Sequence, residues 1–388
     1  MLLERITTDF LPIWALPVLL LLIYSLFLVV YRLYFHPLAQ FPGPRLAAAT
    51  LWYEFYHDVI RRGKYIWEIK DMHTKYGPIV RIGPHELHID DPDFFDTFYN
   101  QKTDKWEWFT RQFGNGESTQ STPRHDLHRV RRAALAPFFT RTKVLQLESI
   151  IKDKIEMLSA RLSASRKSNN DRKHAGQEPE PLCLGLAYHC LTTEVVTQYS
   201  WSRSYECLDH PDFRAEWFTM LRGLAEVGHI GRQFGWFLPL IDNLPVWLAG
   251  LVSANAKDSA EFRRHLSEQV TEIKMTPREQ FSGKSHPTIF HELHNSNLPE
   301  YERSTHRLMQ EGLLVLFAGF ETTANAMAVT TYHLLRNPEK LARVRAELEG
   351  VMKGRDLDAR GWVDLEKLEY FVGSFLTRSL AYQTLADF

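Results

Sequence analysis

From Glu302 to Arg336 the chain runs for about 35 residues without a proline and keeps helical character throughout. At 1.5 Å per residue that is a rod of roughly 50 Å, long enough to cross a whole domain. Asn337 and Pro338 then stop it and start a second helix, PEKLARVRAELEGVM, with Asn as cap and Pro in the first turn. Elsewhere helical patterns dominate, and short strands are expected at Ile79–Ile82 and around Leu87–Ile89, so the expected class is mainly α with a small β portion. Ten Trp, fifteen Tyr and 24 Phe supply a large core, and three cysteines cannot staple one, which excludes disorder and a disulfide scaffold. No internal repeat of solenoid length is present.

The middle of the long helix, LLVLFAGFETTANAMAV, collects three locally unfavourable choices: Gly319, Glu321 and the β-branched pair Thr322 and Thr323. Gly inside a helix costs about 1 kcal/mol against Ala, and a carboxylate among apolar neighbours costs more unless it is paired. A mid-helix Thr can turn its hydroxyl onto the carbonyl four residues back, here that of Ala318, and loosen the ladder. Beside Ala318 and Gly319 this makes a groove where a flat ligand or a diatomic can approach the backbone. A bent core helix with a satisfied Glu accounts for the same residues.

Phe10 to Tyr31 carries no charge and is long enough to cross a hydrocarbon core of roughly 30 Å. A thin basic flank and the absence of a small-residue cleavage site favour an anchor over a signal peptide. Arg32, His36 and Arg45 follow the span while Glu4 and Asp9 offset Arg5, which places the body in the cytosol. The absence of any Asn-x-Ser/Thr acceptor agrees. The expected division is an anchor over residues 1–35, a stiff extended proline hinge over 36–45 (Pro37, Pro42, Pro44) and a globular domain over 46–388. Gln112–Pro123 and Ala164–Pro181 are expected to be loops, the second because SNNDRKHAGQEPEP has no apolar residue to bury.

A formal net charge of -1 gives no footprint for nucleic acid. Three His-x-Leu-His strings, His85–His88, His125–His128 and His291–His294, lack the His-Glu-x-x-His spacing of a metal helix, and no metal site is expected from them. Gly283-Lys284-Ser285 fails as a phosphate loop because Arg278 stands where a Gly is required.

Ala318-Gly319-Phe320-Glu321-Thr322-Thr323 resembles the central-helix signature of the cytochrome P-450 family, the haem-thiolate monooxygenases. The apolar anchor with FPGPR, KYGPIVRIGPHELHIDDP, HDLHRVRRAALAPFF and HELHNSNLP match further parts of the family in order, closest to its filamentous-fungal microsomal branch, which includes terpenoid-oxidising members. The resemblance implies the family's fold behind one transmembrane helix, haem as cofactor, NADPH-cytochrome P-450 reductase as electron donor, a lipophilic small-molecule substrate and an endoplasmic reticulum membrane location. Residue by residue, Glu321 and Thr322 fall on the acid-alcohol pair that delivers protons to bound dioxygen. Ala318 and Gly319 fall against the porphyrin face. His128 and Arg132 fall on the propionate clamp, His replacing the family's Trp, and Arg suits that task as a permanent cation with a donor fork. The neighbourhood of Arg129, Arg131 and Arg132 helps receive the reductase in the family; a solvated helix face is the plainer reading of these arginines.

The resemblance stops near Gly373. The family's thiolate loop, Phe-x-x-Gly-x-Arg-x-Cys-x-Gly, and its Glu-x-x-Arg pair are absent from SFLTRSLAYQTLADF; Cys183, Cys190 and Cys207 all precede Ala318 and read as buried small hydrophobes. The expectation is therefore a domain incomplete at its C-terminus and catalytically inactive as given, with core surface exposed where the missing segments would pack. A monooxygenase with its true C-terminus restored and a membrane-tethered binding protein are the other two readings.

Overall fold

The computed structural model describes residues 15–276, 288–352 and 361–374. The glycine-lysine string at Gly283, the first residues of the apolar span and the end of the chain lie outside them. The described residues divide into two compact units: 1–104 with 227–239, and 105–226 with 240–388.

The first unit starts with α1, Ala15–Val30, which continues as a wider π turn through Phe35; this 21-residue run, apolar but for Ser25 and Arg32 and a few tyrosines, contains no fully buried residue. The proline segment is not a uniformly extended spacer. His36 accepts from the Leu38 amide at 3.1 Å through Nδ1, and Pro37 opens a 3-10 turn to Gln40, where its missing N–H is no loss. The Arg81 amide then bonds the Pro42 carbonyl at 2.7 Å, docking the segment on the sheet. A side chain at Gly43 would collide with the Arg81 backbone there, so this close approach requires glycine.

After α2, Tyr65–Tyr76, Gly77 turns the chain at φ 94 into the expected strands, β1 (Ile79–Arg81) and β2 (Leu87–Ile89). They pair antiparallel with Val80 opposite His88. Their buried face, Val80 and Ile82, meets Tyr65, Ile69 and Met72 of α2, which recur at helical spacing. Arg81 is 2% exposed and gives its guanidinium to the carbonyls of Arg32, Gly83 and Pro84.

The second unit is helical. Its main elements are α3 (His125–Leu135), α4 (Glu148–His174), α5 (Leu184–Trp201), α6 (Ala215–Gln233, entering the first unit at residue 227), α7 (Ala254–Met275), α8 (Ile289–His294), α9 (Thr305–Arg336) and α10 (Pro338–Met352). α9 is the expected long helix, opening after the Ser304 cap, whose hydroxyl accepts from the Arg307 amide, and α10 opens at Pro338 as expected. The core packs around α5 and α9: Trp201 stacks on Phe290 at 4.8 Å, and Leu266, Leu308, Leu316 and Phe320 are at most 2% exposed.

One loop expectation changes. Residues 164–174 are the last turns of α4 rather than loop; Lys and Arg are good helix formers and propagate a helix already started on the core. Arg172, Lys173 and His174 suit its C-terminal dipole, and Asn169 fastens Glu180 by two bonds. Residues 114–123 are irregular as expected, yet Asn115, Ser118, Thr119, Ser121 and Thr122 are buried and bonded internally.

Candidate active site

The side chains singled out in α9 leave the helix in different directions. Ala318, Thr322 and Ala326, spaced four apart and so stacked on one stripe, are exposed although they lie mid-helix, as is Thr323. Farther along, Tyr332 and Leu335 are also exposed. Thr322 Oγ1 donates to the Ala318 carbonyl at 2.8 Å, the back-bond its mid-helix position suggested. The stripe therefore presents methyl groups and a hydroxyl low enough for a flat ring to lie close to the backbone.

Of the expected pair, only Ala318 opens outward. Gly319 serves the contact with α5: a Cβ there would lie 2.8 Å from Val196 Cγ2. Thr192 of α5 donates to the Phe320 carbonyl at 2.8 Å, binding the two helices at the same level. Glu321 turns toward α5 as well. Its Oε2 meets His189 Nε2 at 2.7 Å, so the carboxyl group that looked costly in the sequence is paired. Glu321 and Thr322 are adjacent in sequence but bond to different partners.

α3 carries the second group. His128 and Arg132 sit one turn apart, His128 half-buried and Arg132 exposed. Lys105 joins them electrostatically, while its Nζ bonds the Gln120 carbonyl at 2.7 Å. Burial, then the charges of Lys105, Arg132 and His125, hold the His128 imidazole below its ordinary value. Burial and Arg132 do the same to the Lys105 ammonium. Among the described residues no carboxylate bonds Lys105, His128 or Arg132. Cations brought together without an anion, each disfavouring its neighbour's charge, form a site that an incoming carboxylate relaxes.

Arg131, read from the sequence as part of a solvated face, is buried. Its fork grips Glu302 at 2.9 and 2.8 Å and bonds the Glu117 carbonyl and Thr122 hydroxyl, each at 2.8 Å. Arg307 extends the chain of charges from Glu302 (3.1 Å) to Glu311 (2.5 Å), and Glu311 accepts from the Thr119 amide and hydroxyl at 3.0 and 2.9 Å. The loop before α3 is thereby tied to the start of α9.

The cysteines lie elsewhere. Cys190 and Cys207 are fully buried; a bond to Cys207 and burial push the Cys190 thiol up, and it donates to the Phe213 carbonyl at 3.3 Å. Cys183, expected to be buried, is exposed at the mouth of α5. None belongs to the open stripe. The open stripe of α9 leaves room for the face of a flat ring and the cations of α3 suit carboxylates, and no cysteine belongs to either group. Of the His-x-Leu-His strings, His88 bonds His73 at 2.7 Å between β2 and α2, and the described residues contain no three-ligand metal cluster. Lys105, His189 and the Arg131–Glu302 pair were not singled out in the sequence. A lone His inside the apolar LCLGLAYHCLTTE was the signal available for His189.

The family model described as "Cytochrome P450" matches residues 44–372. Cytochrome P450 monooxygenase MO6277 of Ascocoryne sarcoides is 40% identical over 348 residues, covering 86% of this chain and 66% of the relative. Tryptophan 6-hydroxylase fscE of Fusarium equiseti is 39% identical, covering 92% and 68%. The chain thus spans about two thirds of the length of the curated relatives it matches. A crystal structure of a cytochrome P450 (CYP102L1) superposes with a TM-score of 0.59 at 17% identity over 80% of this chain and 64% of that one, a likeness of fold.

Proposed function

Because this chain belongs to the cytochrome P450 family, we propose that it is the scaffold of a haem monooxygenase of secondary metabolism, anchored in the endoplasmic reticulum with its body in the cytosol. Its substrate is a lipophilic small molecule of the terpenoid-like class, and its electrons come from NADPH through cytochrome P-450 reductase. The observation that carries the reading is the uncovered stripe Ala318, Thr322 and Ala326 in the middle of the helix that otherwise forms the core.

Haem, when bound, supplies the activation of dioxygen. The residues of the chain do the rest. Ala318 and Ala326 leave room at the helix surface for the ring. Arg132 and Lys105 hold its carboxylate arms, and His128 donates to them; an arriving carboxylate favours the protonated imidazole that its cationic neighbours now oppose. Thr322 Oγ positions a water by exchanging its bond to Ala318 for one outward, and Glu321 next to it holds the proton to be delivered. Cys190 and Cys207 are buried in the core and Cys183 lies at the start of α5, outside the open stripe, so we read the 388 residues by themselves as catalytically silent and the same scaffold bearing the family's thiolate loop as active.

The test is the reduced, carbon-monoxide-bound absorption spectrum of the 388-residue chain in isolated membranes, beside a version carrying a full family C-terminus. A thiolate-type band only in the second is expected. A band from the first refutes silence; a band from neither refutes the monooxygenase scaffold and leaves a tethered binding protein, which would be read as saturable ligand binding in the membrane fraction.

A further inference from the structure

His189 sits on α5 with 7% of its surface exposed, between the rings of Phe218 (5.2 Å) and Phe320 (5.9 Å). Both its nitrogens are engaged at 2.7 Å: Nδ1 with the Gly185 carbonyl and Nε2 with Glu321 Oε2. A carbonyl oxygen only accepts, so Nδ1 carries a hydrogen whatever the state of the pair. Nε2 and Oε2 then share one further proton. Either it lies on Nε2 and an imidazolium faces a carboxylate, or it lies on Oε2 and a neutral imidazole accepts from a carboxylic acid. The ring is keyed at one end to the first turn of α5 and can neither flip nor retreat without breaking that bond.

Glu321, by contrast, is half-exposed and reaches His189 from the edge of the helix pair. Its neighbour Thr322 faces the open stripe and bonds only its own helix. Resting on the monooxygenase reading, we infer that His189 is a positioning residue for Glu321. It holds the carboxyl group on the α5 side together with one transferable proton, and Glu321 reaches the Thr322 side by leaving His189. When the acid departs protonated, the proton moves from Nε2 to Oε2 and His189 stays behind neutral, its hydrogen on Nδ1; water at the half-exposed Glu321 returns the proton. Among the described residues no other titratable or charged side chain bonds His189.

Carbodiimide labelling of carboxyl groups, read residue by residue by mass spectrometry on the 388-residue chain in membranes, tests this without haem. Glu302 and Glu311, at most 8% exposed, are the internal controls. With His189→Leu, Glu321 should be labelled about tenfold faster, the population change that losing one charge-assisted hydrogen bond allows, while both controls stay slow. His189→Gln, which keeps a donor at similar reach, should return Glu321 to near the wild-type rate. Unchanged labelling in His189→Leu overturns the inference, as does a His189→Gln rate equal to that of Leu. If the Leu variant also labels the controls, the pair has opened, and His189→Phe, which keeps the ring's bulk without a donor, decides in the same two ways. The carbon-monoxide spectrum reports separately on the scaffold: its failure removes the monooxygenase reading, and unchanged labelling removes His189.

Discussion

Replacing Glu302 by Leu strikes the most heavily charged point in the described core. Glu302, Arg131, Arg307 and Glu311 are between 1 and 8% exposed, and Glu302 is shared by both arginines. Breaking a buried ion pair by removing one partner costs about 3–5 kcal/mol, because the survivor keeps its charge without compensation. Arg131 would retain the Glu117 carbonyl and the Thr122 hydroxyl, and Arg307 would retain Glu311, so the loss belongs at the lower end, about 3 kcal/mol or roughly a hundredfold in the unfolding equilibrium. At ~2 °C per kcal/mol for a body this large, the midpoint should fall by about 6 °C. Amide hydrogen exchange of the chain in lipid nanodiscs should show the loss centred on residues 115–122, which Arg131 tethers. Acid supplies an independent arm. Burial pushes the Glu302 carboxyl up, but the bond to Arg131 and the charges of Arg131 and Arg307 outweigh it and hold the group below its ordinary 4.5. A carboxyl lowered by folding contributes stability above its unfolded value and loses it as pH falls through the folded one, so wild type should weaken below about pH 4.5 in a limb that the Leu variant lacks. A loss under 1 kcal/mol with unchanged exchange in 115–122 would refute the argument that this network holds the loop.

Gly319→Ala should destabilise by about 1–2 kcal/mol in chemical unfolding despite the better helix propensity of Ala, because the Val196 methyl cannot swing aside; in a Val196→Ala background it should stabilise, and the same sign in both would show that Val196 is not the obstacle. Burial, with Glu86 and Asp58 opposing the relief from Arg232, pushes the Glu54 carboxyl up to about 8. A carboxyl raised by folding takes up a proton on folding, so stability should decline as pH rises from 4.5 to 8, and Glu54→Gln should flatten that decline in a series of melting curves. Thr322→Val should leave the unfolding free energy within about 0.5 kcal/mol of wild type, since only an exposed bond to its own helix is lost, while impairing oxidation by the scaffold bearing the family's C-terminus; equal damage to both would assign Thr322 to folding alone. Arg132→Ala should reduce the haem retained per chain by that scaffold more than Arg129→Ala does, read by pigment content.

What the chain spells out locally could be read without coordinates. The length of α9, its stop at Asn337 and Pro338, the two strands, the apolar α1 and the Thr322 bond to a carbonyl four residues back all follow from periodicity, caps and neighbours within a turn. The candidate residues Ala318, Thr322, His128 and Arg132 could be nominated because they fall on a family signature. Their surroundings were not. His189 finds Glu321 across 132 residues and Arg131 finds Glu302 across 171, and such partners are chosen by which helix faces pack together, a choice that no local propensity encodes. The same packing turned Gly319 toward Val196 and buried Arg131 where the sequence suggested a solvated face, and it let the polar end of α4 continue as helix by anchoring its beginning on the core. Residue type set which chemistry was available, and tertiary structure decided which groups meet, because pairing a buried charge requires a partner brought from elsewhere in the chain.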